Sequence, residues 1–161
     1  MLKVEKVYGN KVRVRVCGIC VQDNKLLLAN HPALSKAGNL WIPPGGRTEY
    51  GSNLKENLIR EFKEETNLDI EVKEFMFVNE FINPPLHAIE IFYKVKIKSG
   101  KLQTGKDPEL SEKDQLITEV KFMDFDEINT LSELEKHSVL NEYHSLNDLL
   151  SLKGYFIFEN K

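Results

Sequence analysis

Alternation of apolar and polar positions dominates the start of the chain. Residues 11–21 (KVRVRVCGICV) put Val12, Val14 and Val16 on one side and Arg13 and Arg15 on the other, the period-two pattern of a strand. Asp23-Asn24-Lys25 is a tight turn, and 25–29 (KLLLA) returns as the second arm of a hairpin. Residues 30–40, with Pro32 and Gly38, form a loop, and Trp41-Ile42 is a short extended piece running into Pro43-Pro44-Gly45-Gly46. There the period changes. From Ser52 to Thr66 the spacing predicts a helix with Leu54, Leu58, Ile59 and Phe62 on its apolar stripe and Ser52 as its amino-terminal cap. Strands follow at 70–80 and 87–98, separated by a loop at Asn83-Pro84-Pro85. After the polar stretch 99–114 comes a strand at 117–122. A helical region starts at Asp124, 135–150 is helix, and 154–158 is a closing strand.

Mixed strands with several helices predict an α/β layer architecture. No repeat or Ser/Gly linker interrupts the pattern. One domain over 1–161 is therefore expected, its tail from about residue 130 packed on it as helix plus short strand. That tail can cover a sheet edge or form a homodimer contact, and its sequence does not choose.

Composition narrows the function classes. With 161 residues, 41% hydrophobic and 29% charged, the chain has the profile of a globular domain rather than a disordered one. Lys+Arg is 22 and Asp+Glu 25, a net charge of −3, which argues against nucleic acid or an anionic membrane as partner. The first residues, MLKVEKVYGN, lack a signal-peptide core and no run is long enough to span a membrane, so a cytoplasmic location is expected. Cys17 and Cys20 spell C-x-x-C, yet on a strand their sulfurs diverge, and no second pair stands at zinc-site spacing. They read as small apolar residues on a buried strand.

Chemistry concentrates in residues 45–68, GGRTEYGSNLKENLIREFKEETNL. On a helix, Glu64 and Glu65 lie at roughly −60° and +40° from Glu61, so the three carboxylates share one arc. Like charges so placed destabilise an isolated helix. A hard cation held by oxygen ligands, Mg²⁺ or Mn²⁺, relieves that repulsion, and a solvated acidic face beside Lys63 is the alternative. The flanks favour a site. Pro43 to Gly46 bring backbone groups to the helix start, Gly51 permits a tight turn, and Arg60 sits one turn from Glu64 where it can orient a carboxylate. Asn67 stands where a left-handed cap is needed.

This stretch resembles the Nudix box, G-x5-E-x7-R-E-U-x-E-E-x-G-U, where U is a bulky apolar residue. Gly46 takes its first position and Arg60 to Leu68 its last nine. Trp41-Ile42-Pro43-Pro44-Gly45, with Glu49 and Gly51, is similar to the family's lead-in and continuation. Ser52 and Asn67 depart from the box, standing where it has Glu and Gly; loss of the acid at 52 implies weaker metal affinity or fewer ions.

The resemblance implies an α/β/α sandwich with a mixed β-sheet between helices, and metal-dependent hydrolysis of a diphosphate bond in a nucleoside diphosphate linked to another moiety. By the match, Glu61, Glu64, Glu65 and the Gly45 carbonyl are metal ligands. Arg60 orients the glutamates, and Glu64 or Glu61 is the general base, with Glu109, Glu112 and Asp114 as rivals. Arg13, Arg15 and Gly46 are candidates for substrate contact, and Phe81 or Tyr50 for base stacking. His31, His87, His137 and His144 receive no role, and Trp41 is expected to pack under the Gly-Gly loop. A small-molecule nucleotide is the implied partner. ADP-ribose or a nucleotide sugar is favoured because 79–92 resembles ADP-ribose pyrophosphatase-like members. A nucleoside triphosphate pyrophosphohydrolase and a nucleotide-binding sensor with little turnover stay open.

Overall fold

The computed structural model describes residues 2–106 and 115–159. Among them, eight strands and five α-helices run in the order α1 (Leu2–Tyr8), β1 (Lys11–Gln22), β2 (Lys25–Asn30), β3 (Trp41–Ile42), β4 (Gly45–Arg47), α2 (Leu54–Thr66), β5 (Asp69–Asn83), β6 (Leu86–Ser99), β7 (Glu119–Met123), α3 (Phe125–Thr130), α4 (Ser138–Glu142), α5 (Leu146–Leu150) and β8 (Gly154–Glu159). None of the helices is long and apolar enough to cross a membrane.

The strands form a mixed sheet in the order β3-β2-β1-β6-β5-β8, with β4 also on β1 and β7 on β2. β1 is its axis. The first part of β1 lies parallel to β6 and antiparallel to β4, and its last residues, Val21 and Gln22, make the hairpin with β2. β5 is antiparallel to β6 and parallel to the closing strand β8. The tail therefore extends the sheet at its β5 edge.

Period-two burial splits the core between the two faces. Val16, Cys20, Leu27 and Val95 join Leu58 and Phe62 of α2 on one side. Cys17, Ile19, Leu26, Phe77 and Phe92 join residues of α3, α4 and α5 on the other. Helices thus cover both faces, as expected. Gly18 makes the α2 contact close: a Cβ there would sit 2.5 Å from the Phe62 ring. The two cysteines are free, buried and on opposite faces. Burial raises both thiols, Cys20 to about 11.

Several expectations need correction. α1 carried no anticipated pattern. The strand at 70–80 runs from Asp69 to Asn83 and the next from Leu86 to Ser99, so the loop between them shrinks to Pro84-Pro85. The helix expected over 135–150 is two short helices broken at Tyr143–Ser145, where the Ser145 hydroxyl accepts from Asp148 N–H and starts a new cap. Along β1 the outer valines are the exposed side, and Arg15 turns inward. Trp41 joins the core on the α3–α5 side, with the Lys121 ammonium 5.5 Å from its ring centre.

Candidate active site

Two glycines let the loop before α2 come close. A Cβ on Gly45 would collide with the Val16 carbonyl, and one on Gly46 with the Glu61 carboxyl group. Without them, β4 lies against β1 and Glu61 rests its carboxylate on the Gly46 backbone. Gly45 N–H donates to Glu65 Oε2 at 3.2 Å, tying the loop to the fourth turn of the helix.

α2 starts at Leu54, and its cap is Asn53 rather than Ser52. The Asn53 side chain accepts from Glu56 N–H at 2.9 Å, while Glu56 Oε2 accepts from Asn53 N–H at 3.1 Å. This reciprocal pair satisfies two free donors of the helix end. Asn57, which the apolar stripe passes over, is buried in place of Ile59, which is exposed. Its Oδ1 accepts from Glu49 N–H at 3.0 Å and its Nδ2 donates to the carbonyls of Ser52 and Asn53. One amide therefore pins the whole 49–53 turn, in which Gly51 adopts φ +88°. An Asn at the edge of an apolar stripe in a helix's first turns was the signal for it.

The far end of α2 is equally fixed. Asn67 takes the left-handed conformation at φ 64° and its N–H donates to Lys63 O, as its position predicts. Gly105 N–H and Gln103 N–H donate to the carbonyls of Glu65 and Thr66 at 2.9 and 3.0 Å. The chain reaches this contact only because residue 105 is Gly; a Cβ would collide with the Glu64 carbonyl. Glu109, Glu112 and Asp114 lie outside the described residues.

On this held helix, Arg60 is a hub. Its guanidinium lies 3.1 Å from Glu61, 3.3 Å from both oxygens of Glu64 and 3.4 Å from Glu49. Glu64 is open to solvent, whereas Glu61 and Glu65 are not. Burial pushes Glu65 up to about 8, the Glu61 charge adds to it, and Arg15 with the Gly45 N–H offset only part. Glu61 is raised for the same first reason, burial. Among the described residues, no three His, Cys, Asp or Glu side chains are gathered closely enough to hold an ion as they stand. The donor chemistry nevertheless fits one. Two desolvated carboxyl groups beside a glycine backbone repel each other, and a hard divalent cation removes both penalties.

Arg15, expected to reach a phosphate, is instead bound to Glu90 Oε2 at 3.2 Å. Glu90 in turn accepts from Asn79 Nδ2 at 2.8 Å and lies 2.7 Å from His137 Nε2. His137 Nδ1 accepts from Val139 N–H, which leaves the ring proton on Nε2, facing Glu90. Burial alone would raise Glu90, but His137, Arg15 and Asn79 outweigh it and hold the carboxyl at about 2. A charge between Ala88 and Phe92, at period two on a strand, was the signal for this group. Arg13 is half-buried, its guanidinium 4.7 Å from the centre of the Tyr8 ring. Tyr50 is fully exposed on the turn, whereas Phe81 is half-buried on β5.

Against known proteins, a family profile described as "NUDIX domain" matches residues 9–143. The chain is 35% identical over 101 residues to an ADP-ribose pyrophosphatase of Methanocaldococcus jannaschii, covering 62% of this chain and 59% of that protein. It is 36% identical over 61 residues to the CTP pyrophosphohydrolase of Escherichia coli, covering 38% of this chain and 45% of that one. It thus spans about half the length of these curated relatives. In fold, it is similar to a NUDIX hydrolase from Nitrosomonas europaea, with TM-score 0.68 at 17% identity over 86% of this chain and 95% of that one.

Proposed function

The chain belongs to the NUDIX domain family, and from that premise we propose that it hydrolyses the diphosphate bond of a nucleoside diphosphate linked to another moiety, ADP-ribose or a nucleotide sugar. The carrying observation is the pair of desolvated carboxyl groups, Glu61 and Glu65, set against the Gly45-Gly46 backbone. Such a pair is costly in a folded protein unless a cation is bound there.

Glu61, Glu64, Glu65 and the Gly45 carbonyl are the groups that would hold Mg²⁺ or Mn²⁺. When bound, the ion polarises the phosphoryl oxygens and lowers the pKa of the attacking water. Arg60 aligns Glu61 and Glu64, and Glu64 or Glu61 accepts the proton of that water. Gly46 leaves room for the Glu61 carboxylate. Arg15, engaged by Glu90, balances the charge of Glu61 and Glu65 from behind and is not itself a phosphate ligand. Arg13 remains the cation from β1 for a substrate phosphate.

The relatives' names support two substrate classes: an ADP-ribose pyrophosphatase favours the first, and a CTP pyrophosphohydrolase favours a nucleoside triphosphate. The test is product release from ADP-ribose, nucleotide sugars and CTP with Mg²⁺ or Mn²⁺. AMP release from ADP-ribose is expected, with kcat/KM lowered about 100-fold or more in Glu61→Gln and Glu65→Gln. The folded state should be no less stable, because each change replaces a carboxyl group whose charged form burial already disfavours. Turnover undiminished in both variants overturns the assigned site; turnover of CTP alone overturns the substrate.

A further inference from the structure

Arg60 is held from two ends. Its Nη1 lies 3.1 Å from Glu61 and 3.3 Å from Glu64, the two carboxylates it aligns. Its Nη2 lies 3.4 Å from Glu49 Oε1 and 3.4 Å from Asn57 Oδ1. The guanidinium is one rigid plane, so whatever holds the second end decides where the first end points.

The partners of that plane differ in how firmly they are themselves held. The side chains of Glu49 and Glu64 are 54% and 53% exposed, and ion pairs so open to water fix a geometry weakly. Asn57 is 1% exposed. Its Nδ2 donates to the Ser52 and Asn53 carbonyls at 3.1 and 2.7 Å, and its Oδ1 accepts from Glu49 N–H at 3.0 Å as well as from Arg60. Two bonds donated and two accepted use the full capacity of a primary amide. A flipped amide would set Nδ2 against N–H donors and Oδ1 against carbonyls, so the network admits one orientation. The same oxygen also fixes the backbone of Glu49, the other neighbour of Nη2. Asn57 and Arg60 stand three residues apart on α2, close enough for the buried amide to serve as the fixed end of the pair.

We propose that Asn57 is a positioning residue, its buried amide setting the plane of the Arg60 guanidinium and through it the aim of Glu61 and Glu64. The kinetic consequence rests on the hydrolytic reading of the site; the placement of Arg60 does not. A double-mutant cycle with Arg60→Lys separates this role from that of a turn anchor alone. Asn57→Ala should lower kcat about 10-fold with KM little changed, because misplacement of reacting groups by about 1 Å is costly. The double variant should be no slower than Arg60→Lys, since one residue acts through the other. Nuclear magnetic resonance reads the guanidinium directly, without metal or substrate. Its two Nη groups should give separate nitrogen signals in the wild type and merge in Asn57→Ala as rotation is freed. They should stay apart in Asn57→Asp, which keeps an oxygen toward Arg60 and carries the test if Asn57→Ala does not fold. Effects that multiply in the cycle, separate signals in Asn57→Ala, or merged signals in Asn57→Asp overturn the proposal. A wild type that turns over no nucleotide overturns the hydrolytic reading instead, and the resonance measurement then decides on Asn57.

Discussion

His31 tolerates one protonation state. Its imidazole is buried, Nε2 has no hydrogen-bond partner, and burial, followed by the nearby Arg15 charge, holds it down to about 3. An unfolded chain takes up that proton near pH 6.5, so the stability His31 contributes is complete above that value and drains away as pH falls toward 3. Between pH 7 and 5.5 the loss amounts to about 1 kcal/mol. In His31→Gln, urea unfolding at the two pH values should show a drop smaller by that amount; equal drops would place the ring in solvent. Nothing in the residue pattern hints at this, because a His after a strand is equally at home on a surface. Glu61, Glu64 and Glu65 were legible by contrast, since their spacing puts them on one arc of a helix, with Arg60 one turn from Glu64. Which of the three acids is desolvated was not, because burial is set by Gly45 and Gly46 from another element.

Among elements, α2 carries the site and its seat on the sheet is narrow. Gly18→Ala would drive a methyl group into the Phe62 ring, a fully buried side chain with no space to retreat. Overpacking of this sort costs about 1–3 kcal/mol. Thermal unfolding should register the loss, and turnover should fall with it as α2 lifts from β4. A normal melting temperature would mean that the ring can move aside. Strand positions were mostly readable from period two, and α2 from period three to four. The helix break at Tyr143–Ser145 was not, because local hydroxyl capping by Ser145 competes with an apolar pattern that would have allowed one helix.

In the whole molecule, the row Arg15–Glu90–His137 ties the sheet centre to the α4–α5 layer through one buried carboxylate. His137→Ala removes a partner of that charge and the cap of α4 together. A loss of about 3 kcal/mol is expected in urea unfolding, with amide protection in α4 and α5 failing before that of β6. Uniform loss across the sheet would contradict the link. The axial position of β1 has its own consequence at this scale. Arg15 meets Glu90 75 positions further along the chain, so the central pairing cannot form until more than half of the polypeptide has left the ribosome. Until then β1, already joined by β2 and β4, waits without β6 on its other edge, a topology that slows folding and invites misassociation.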